Sequence, residues 1–320
     1  MKQDRYDAGA PLVSVIVLNY KRQDALKRCL KSVLAQEYPH LEVIVVDNHS
    51  EEDIKGLVET LDSGIRLVEL PHNLGSCAGR NVGIREAHGQ ILVTLDNDVS
   101  FVSPFEVSRI VSTFEERPDI HVLAFQICDA GTGEVRQREW CHPKSREEFS
   151  QSEFETNYFG EGACAYRRRV FEVAGLFYER FFIGCEGGDL ALRIIDCGFR
   201  LLYSPRIRVN HDMSVETRTA ERPYYFYTRN FIWISYKDYD VLDGIRYLFV
   251  KMATMFYLTL RSGCYRAFVR GLWDGFVGLK QLRPDRTPIK KATVEYLAVL
   301  EKGRPSWRAR LARHRSQPQI

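Results

Sequence analysis

Four short runs of apolar, largely β-branched residues recur through the first third of the chain, and they constrain its fold more than any other feature. These runs lie at 13–18, 41–46, 65–70 and 91–95. Strands that are buried on both faces of a sheet have continuous apolar sequences of this kind. The segments between the runs, at 24–36, 51–61 and 76–88, carry apolar residues at helical spacing. The alternation predicts an α/β fold with a doubly wound, Rossmann-like, mostly parallel sheet flanked by helices.

The later sequence predicts a continuation of this sheet and then a change to helices. Helices are predicted at 103–117, 169–174 and 186–197, and strands at 120–127, 161–166, 199–203 and 207–210. From residue 224 onward the sequence is aromatic and helical in spacing. We therefore predict a domain over 11–222, with halves at about 11–103 and 104–222, and a helical, basic C-terminal extension over 223–320.

Composition and charge exclude some classes of protein. The 320 residues carry a net charge of +3, which gives no support for a nucleic-acid partner. None of the eight cysteines forms a C-x-x-C pair, so we expect free thiols and a reducing compartment. Residues 1–11 lack the apolar core of a signal peptide, and no run of 18 uncharged apolar residues occurs. The expected location is the cytoplasm.

Polar side chains follow each of the four predicted strands. Ligands bind beyond the carboxyl ends of the strands in an open parallel sheet, so these loops are predicted to form one nucleotide-binding site. The candidate binding residues are Asn19, Tyr20, Arg22, Asp47, Asn73, Gly75, Arg80, Asp96 and Asn97. Asp47 is suited to a base or ribose, although an Asp at this point also begins local turns. Tyr20 is either a stacking ring or a partly buried residue at the end of a strand.

The segment Asp96-Asn97-Asp98 carries the most specific signal. It directly follows the fourth apolar run, so both carboxylates are predicted to emerge at the edge of the sheet. Two carboxylates separated by one residue can hold a hard divalent cation such as Mg²⁺ or Mn²⁺. A solvated turn has the same sequence, but its position after a buried strand favours a metal site.

These motifs, in this order, resemble the family 2 glycosyltransferases, which have the GT-A fold. The shared segments lie at 13–20, 44–50, 73–75, 79–83, 95–98, 162–163, 168–169, 175–177, 181–182, 186–193, 198–200 and 211. The resemblance implies an inverting hexosyl- or rhamnosyltransferase that uses a nucleotide-diphosphate sugar and builds surface polysaccharide or another glycan. It also implies that Asp47 binds the base, that Asp96 lies near the ribose or the metal, and that Asp98 binds the metal. The first half of the domain would hold the donor and the second half the acceptor, which would be a saccharide or a lipid-linked saccharide.

The catalytic base is the point at which the sequence departs from this family. The family usually places a Glu-Asp pair at the start of a helix, and the Asp accepts the proton of the acceptor hydroxyl. Here Glu186 is followed by Gly187, so the usual Asp is missing. Three explanations remain open: Glu186 is the base, Asp189 is the base, or the protein is a weak or inactive relative. We favour Glu186 over Asp189, which could instead pair with Arg193 one helical turn later.

His211 and the C-terminal extension supply the remaining candidates. His211 resembles a histidine that completes the metal or diphosphate site in some GT-A enzymes. Trp140, His142 and Glu161 are weaker candidates for the acceptor side. In the extension, basic residues flank an apolar helix near 241–260. This helix either packs on the domain or lies on the inner face of an anionic membrane.

Two other functions fit the sequence less well than a glycosyltransferase. A non-catalytic nucleotide-sugar-binding relative is favoured by the missing Asp at position 187. A nucleotidyltransferase would usually carry a glycine-rich loop after the first strand, and 19–22 contains no glycine. A dehydrogenase is excluded more firmly, because no G-x-G-x-x-G motif follows that strand.

Overall fold

The structure is a computed structural model that describes residues 9–137, 139–212 and 221–305. Nine strands form one sheet in the described part of the chain. They are β1 (Val13–Asn19), β2 (Leu41–Asp47), β3 (Arg66–Glu69), β4 (Ile91–Asp96), β5 (Val99–Phe101), β6 (Val122–Asp129), β7 (Phe154–Thr156), β8 (Ala163–Arg167) and β9 (Leu201–His211). The predicted α/β class is confirmed.

Eleven α-helices accompany the sheet in these described ranges. They are α1 (Gln23–Leu34), α2 (Ile54–Leu61), α3 (Gly75–Glu86), α4 (Glu106–Glu116), α5 (Arg146–Phe149), α6 (Arg169–Ala174), α7 (Glu186–Asp196), α8 (Glu221–Lys237), α9 (Val241–Ser262), α10 (Tyr265–Val277) and α11 (Lys291–Leu300). The predicted helical extension is present as α8 to α11. The basic tail at 306–320 lies outside the described residues, and the domain boundary at 222 stays a prediction.

The strand order is β3-β2-β1-β4-β8-β6-β9-β5, and β7 pairs with β9. The N-terminal half, from β3 to β4, is parallel. Strand β8 then enters between β4 and β6 and is antiparallel to both. The predicted strands at 199–203 and 207–210 are one long strand, β9, with an irregularity opposite Phe125 and Gln126 of β6. The mostly parallel arrangement therefore holds for the N-terminal half, and the second half is mixed.

Two hydrophobic clusters cover the two faces of the sheet. Successive side chains of a strand point to opposite faces, so Val15 and Val17 join one cluster and Ile16 and Leu18 join the other. All four residues are no more than 8% exposed. The apolar runs in the sequence follow directly from this double burial. Because both faces are covered, the polar groups of the strands can reach a ligand only at the strand ends.

The C-terminal helices pack beside the domain, and α8 contacts both α9 and α10. In α9, Met255 is buried at 6% exposure while Phe256 and Leu260 are each 51% exposed, so this helix is apolar on two sides. None of the helices in the described ranges is both long enough and apolar enough to cross a membrane. All eight cysteines are free.

Candidate active site

The ends of β1 and β2 are joined by a buried hydrogen-bond network. Asn19 and Asp47 are partners in the parallel register, and Asn19 Nδ2 donates to Asp47 Oδ1 over 2.8 Å. The same amide donates to Ser50 Oγ (2.9 Å), and the Ser50 backbone N–H donates to Asp47 Oδ2 (3.1 Å). Asp47 is 6% exposed. The network holds the Asp47 carboxylate at the sheet edge in a local turn, and its contact with a base stays a prediction.

Asn97 connects the loop after β4 to the loop after β1. Its Nδ2 donates to Asn19 Oδ1 (2.7 Å) and to the Lys21 carbonyl (2.8 Å). Its Oδ1 accepts a hydrogen bond from Arg22 Nη2 over 3.2 Å. Arg22 also forms an ion pair with Asp98. Three of the predicted site residues and Asp98 are therefore in direct contact at the edge of the sheet.

Asp98 and His211 form the part of the site that is suited to a divalent cation. His211, at the end of β9, lies opposite Val99, the residue after Asp98. Asp98 Oδ2 and His211 Nε2 are 3.2 Å apart, about the separation of two ligand atoms bound to one ion. His211 Nδ1 contacts Glu139 Oε1 at 2.8 Å, which orients the ring. Burial lowers the pKa of His211, but the contacts with Asp98 and Glu139 outweigh it and raise the pKa to about 9.

The donor set fits an ion that is held partly by a substrate. Among the described residues, no group of three or more His, Cys, Asp or Glu side chains has the geometry to hold a metal. Mg²⁺ in proteins commonly uses one or two carboxylates and completes its shell with water and phosphate oxygens. Asp98 and His211 could provide two ligands of such a partial shell, and the place of Asp96 in it stays a prediction. Asp98 would then exchange its ion pair with Arg22 for the cation.

Asp96 is positioned by two residues that approach it closely. A Cβ atom on Gly162 would lie 2.3 Å from Asp96 Cγ, so a side chain at this position would displace the Asp96 carboxylate. Arg80, 3% exposed on α3, donates from Nη2 to Asp96 Oδ1 over 2.5 Å. The Asp96 side chain is still 38% exposed. Its carboxylate is therefore held at one angle and remains accessible to a ligand.

Glu186 opens α7 on the other side of Arg80. Its Oε1 accepts a hydrogen bond from Ser76 Oγ (2.5 Å) and lies 3.6 Å from Arg80 Nη1. Glu186 is 5% exposed. Asn230 of α8 fixes the preceding loop by donating from Nδ2 to the carbonyls of Ile183 (2.9 Å) and Gly184 (2.6 Å). Arg80 thus bridges the carboxylate predicted at the donor site and the carboxylate predicted as the base.

A second glutamate, Glu161, occupies the space beside Gly187. The Gly187 backbone N–H donates to Glu161 Oε1 over 2.5 Å. Glu161 is half-buried, in the turn just before β8. Burial, then the negative charge of Glu186, raises its pKa to about 7, although Arg80 acts in the opposite direction. Glu161 is only a weaker candidate for the acceptor side in the sequence, and residue spacing cannot predict its contact with Gly187.

Asp189 lies in the protein interior. It is 0% exposed and forms ion pairs with Lys237 Nζ at 2.5 Å and Arg193 Nη2 at 2.7 Å. Burial raises its pKa, but the two cations outweigh this and lower the pKa to about 2. The predicted pairing with Arg193 is present. This geometry argues against Asp189 as the base, because both of its oxygens are committed to cations.

The remaining donor-site candidates have structural contacts. Asn73 Oδ1 accepts hydrogen bonds from the Gly75 N–H (2.8 Å) and from Asn48 Nδ2 (3.1 Å), and so fixes the start of α3. Gly75 has a φ of 84°, and a Cβ there would lie 2.4 Å from the Phe182 carbonyl oxygen. Tyr20 is 36% exposed at the edge of the site. The role of these three residues in donor binding stays a prediction.

Trp140 and His142 lie in an aromatic cluster, and their predicted place on the acceptor side stays a prediction. They pack with Phe154 and Tyr203, and the Trp140 and His142 ring centroids are 4.9 Å apart. Burial lowers the pKa of His142 to about 3, so the ring is neutral. The cluster belongs to the packing around β7 and β9. The sequence did not separate this use of aromatic residues from a binding use.

The family assignment rests on a sequence comparison that spans the donor-side loops. The sequence profile described as "Glycosyl transferase family 2" matches residues 14–175. That segment includes the loops after β1, β2 and β4 and extends through Glu161. The chain belongs to glycosyl transferase family 2. This membership agrees with the resemblance drawn from the motifs.

This family 2 member is similar in sequence to a protein named for O-antigen biosynthesis, and similar in fold to solved structures with bound nucleotide sugars. It is 30% identical over 250 residues to "O-antigen biosynthesis protein RfbC" of Myxococcus xanthus, a match that covers 72% of this chain and 19% of that protein. In fold it is similar to S. aureus TarS 1-349 in complex with UDP-GlcNAc (TM-score 0.59, 17% identity, 91% and 88% of the two chains). It is also similar in fold to a mannosyltransferase of Pyrobaculum calidifontis in complex with GDP-Man and Mn²⁺. The TM-score is 0.56 and the sequence identity 18%, over 92% of this chain and 85% of that one. The chain thus has the fold of these structures and spans about a fifth of the Myxococcus relative.

Proposed function

We propose that this protein is an inverting glycosyltransferase that moves a hexosyl or rhamnosyl group from a nucleotide-diphosphate sugar to an acceptor hydroxyl. The observation that carries the proposal is the cluster of Asp96, Asp98 and His211 at the strand ends, with Arg22 and Arg80 beside it. Carboxylates and cationic side chains suit a diphosphate with its bound cation. Family 2 membership supports the same reaction class.

Each group at the strand ends has a task in this reaction. Asp47 would accept hydrogen bonds from the base or ribose, and the buried Asn19 amide would hold the Asp47 carboxylate in place. Asp98 and His211 would hold Mg²⁺ or Mn²⁺, which supplies Lewis-acid neutralisation of the leaving diphosphate. Arg80 would keep the Asp96 carboxylate aligned, and it would link donor binding to α7 through Glu186. Arg22 would contribute positive charge near the phosphates.

The proposal is tested by donor binding followed by turnover. The first assay is a thermal-shift panel of UDP-, dTDP- and GDP-sugars with and without Mn²⁺, because a ligand that binds the native state raises its apparent stability. We expect a metal-dependent shift with one nucleotide, and release of the nucleoside diphosphate from that donor. Asp98→Ala should abolish the shift, whereas the exposed control Glu59→Gln should retain it. Unchanged donor affinity in Asp98→Ala with metal present would contradict the assigned role.

We further propose that the acceptor is a saccharide on a lipid and that the protein lies on the cytoplasmic face of an anionic membrane. The apolar surface of α9 and α10 supports this, because Leu242, Phe249 and Trp273 are 68%, 75% and 71% exposed. Arg246 and Arg270 flank it, with side chains 79% and 77% exposed. Large apolar groups bordered by basic residues are the pattern of a helix lying in the membrane interface. The O-antigen role in the name of the Myxococcus relative is compatible with a lipid-carried glycan.

Vesicle binding tests the membrane proposal separately from catalysis. Phe249→Glu/Trp273→Glu should stop the protein from sedimenting with phosphatidylglycerol vesicles at low salt. Val299→Glu, on α11 and also exposed, should leave sedimentation unchanged. If the wild type remains in the supernatant with these vesicles, this surface does not bind an anionic membrane.

A second candidate function is a non-catalytic nucleotide-sugar-binding protein. The observation that favours it is Gly187, which stands where the family usually has its base. Such a protein would give the same metal-dependent thermal shift without releasing any nucleoside diphosphate. The two candidates therefore differ only in turnover.

A further inference from the structure

Gly187 lacks a side chain because another carboxylate fills the space that a side chain would need. A Cβ atom at this position would lie 2.5 Å from Glu161 Oε1, 2.8 Å from Glu161 Cδ and 2.9 Å from the Phe159 carbonyl oxygen. Carbon and oxygen atoms in contact are normally separated by more than 3 Å, so no residue with a side chain fits while Glu161 stays in place. By contrast, a Cβ at the neighbouring Gly188 would meet nothing within 4 Å. The crowding is therefore specific to position 187.

We propose that Glu161 is the general base of this enzyme and that its carboxylate replaces the one missing at position 187. The proposal rests on the glycosyltransfer proposed above and adds the identity of the proton acceptor. The two positions are 26 residues apart in the sequence, but the Gly187 N–H donates directly to the Glu161 carboxylate. The base of the usual motif thus comes from the turn before β8 instead of from α7.

The reaction step is a single displacement at the anomeric carbon. The acceptor oxygen forms a bond to the anomeric carbon as the bond from that carbon to the diphosphate oxygen breaks. The electron pair of the broken bond leaves with the nucleoside diphosphate, and the acceptor proton passes to a carboxylate oxygen of Glu161. The proton is later released to solvent, which returns Glu161 to its ionised form.

The surroundings favour Glu161 over Glu186 for this task. Glu186 is 5% exposed, and its Oε1 is engaged by Ser76 at 2.5 Å and faces Arg80 at 3.6 Å. Both contacts engage the same carboxylate oxygen, so Oε1 of Glu186 is not free to meet an acceptor hydroxyl. Glu161 is half-buried and receives a backbone N–H on Oε1. A base is most effective when its pKa lies near the working pH, and the pKa of about 7 for Glu161 meets this condition.

The pH behaviour follows from the charged groups that face Glu161. Besides Arg80 and Glu186, the titratable groups that interact with it are Cys77, Cys141, Tyr158, Cys164, Tyr166, Cys185 and Tyr227. Each of these thiols and phenols has its pKa raised, so all stay neutral near pH 7. Of the remaining two groups, Glu186 raises the pKa of Glu161 and Arg80 lowers it. Turnover should therefore rise with pH through about 7, and loss of the Glu186 charge should move this rise to lower pH.

The test measures release of nucleoside diphosphate, with water as acceptor, from the donor that gives a thermal shift. Glu161→Gln should reduce kcat by about 10²- to 10⁴-fold and leave the metal-dependent thermal shift unchanged. Glu186→Gln should lower turnover less than Glu161→Gln does, and it should move the acid limb of turnover below that of the wild type. Gly187→Asp alone should lower turnover because of the crowding, whereas Glu161→Gly/Gly187→Asp should recover part of it. Glu59→Gln is the matched surface control.

The outcomes separate this proposal from the proposed function. If Glu161→Gln keeps turnover within threefold of the wild type while Glu186→Gln loses it, Glu186 is the base and glycosyltransfer still stands. If the wild type binds a nucleotide sugar but releases no nucleoside diphosphate, the proposed function fails and the base fails with it. If Glu161→Gln loses both turnover and the thermal shift, Glu161 is a donor-site residue and is not the base.

Discussion

The ion-pair network around Asp189 allows a stringent test of which carboxylate supports structure and which supports chemistry. The carboxylate is 0% exposed and pairs with Lys237 of α8 and Arg193 of α7. Arg193 also donates to the carbonyls of Ala174 (2.5 Å) and Leu176 (2.8 Å), so the network joins the end of α6 to α7 and α8. We therefore expect Asp189→Asn to destabilise the protein without directly changing the chemical step.

The size of the effect follows from the charges that remain. Removing one partner from a buried ion pair typically costs about 3–5 kcal/mol, because it leaves an uncompensated charge. Lys237 keeps a second partner in Asp238, and the pKa of Asp238 is raised by burial and by Asp189. Loss of Asp189 would let Asp238 ionise and partly replace it. We therefore expect the free energy of unfolding to fall by about 3 kcal/mol, the low end of this range. For a chain of this size that is a fall in Tm of roughly 6 °C.

The pH dependence has a definite sign. The folded pKa of Asp189, about 2, lies below its ordinary value of 3.8. A depressed carboxyl pKa adds stability that is present above pH 3.8 and is lost as the pH falls toward 2. The difference in stability between the wild type and Asp189→Asn should therefore be largest at pH 7 and should shrink as the pH falls toward 2.

The assay is thermal unfolding at several pH values, combined with donor turnover. Lys237→Met and the double variant complete a double-mutant cycle, in which two residues in contact should show a coupling energy of about 0.5–3 kcal/mol. Glu59→Gln, whose 4.0 Å surface contact with Lys55 should contribute little, is the control. An Asp189→Asn protein with unchanged Tm and a lost chemical step would refute the structural assignment.

Three further predictions follow from single contacts. Gly162→Ala should lower metal-dependent donor affinity at least tenfold with little change in Tm, because the new Cβ would displace Asp96; unchanged affinity would contradict this. Glu161→Gln should be more stable than the wild type at pH 8 by about 1–2 kcal/mol, because a raised carboxyl pKa destabilises the folded state as the pH rises through about 7. This gain in stability should vanish below pH 4.5. Asn230→Ala should lower Tm and turnover together, since about 1–3 kcal/mol of buried hydrogen bonding holds the loop before Glu186; a change in neither would exclude this positioning role.

The sequence identified the N-terminal half of the sheet because that half is built from local patterns. Strands β1, β2 and β4 are buried on both faces, so their burial is visible as continuous apolar runs. The polar residues after them could be placed at one edge because parallel strands end together. For this reason the sequence predicts a shared site for Asn19, Asp47 and Asn97, and the three side chains form one hydrogen-bond network.

The second half was harder to predict because its structure depends on long-range pairing. Strand β5 has only three residues, and it is defined by its antiparallel pairing with β9, more than a hundred residues later. The predicted break at 204–206 does not end β9, because the strand passes an irregularity in its pairing with β6 and continues. The aromatic residues of this half are also ambiguous in sequence. Trp140 and His142 are candidates for the acceptor side, and in the structure their rings pack against each other.

The missing Asp at position 187 shows why a motif can mislead when it is read along the chain alone. The gap at Gly187 suggested either an inactive relative or a base within the same helix. In space, the gap is filled by Glu161, whose carboxylate would clash with any side chain at 187. Glycine at one position and glutamate at the other are therefore coupled: each residue is tolerated because of the other. If Glu161 is the base, a relative with an Asp at the position equivalent to 187 should have a smaller residue at the position equivalent to 161, because the two carboxylates need the same space.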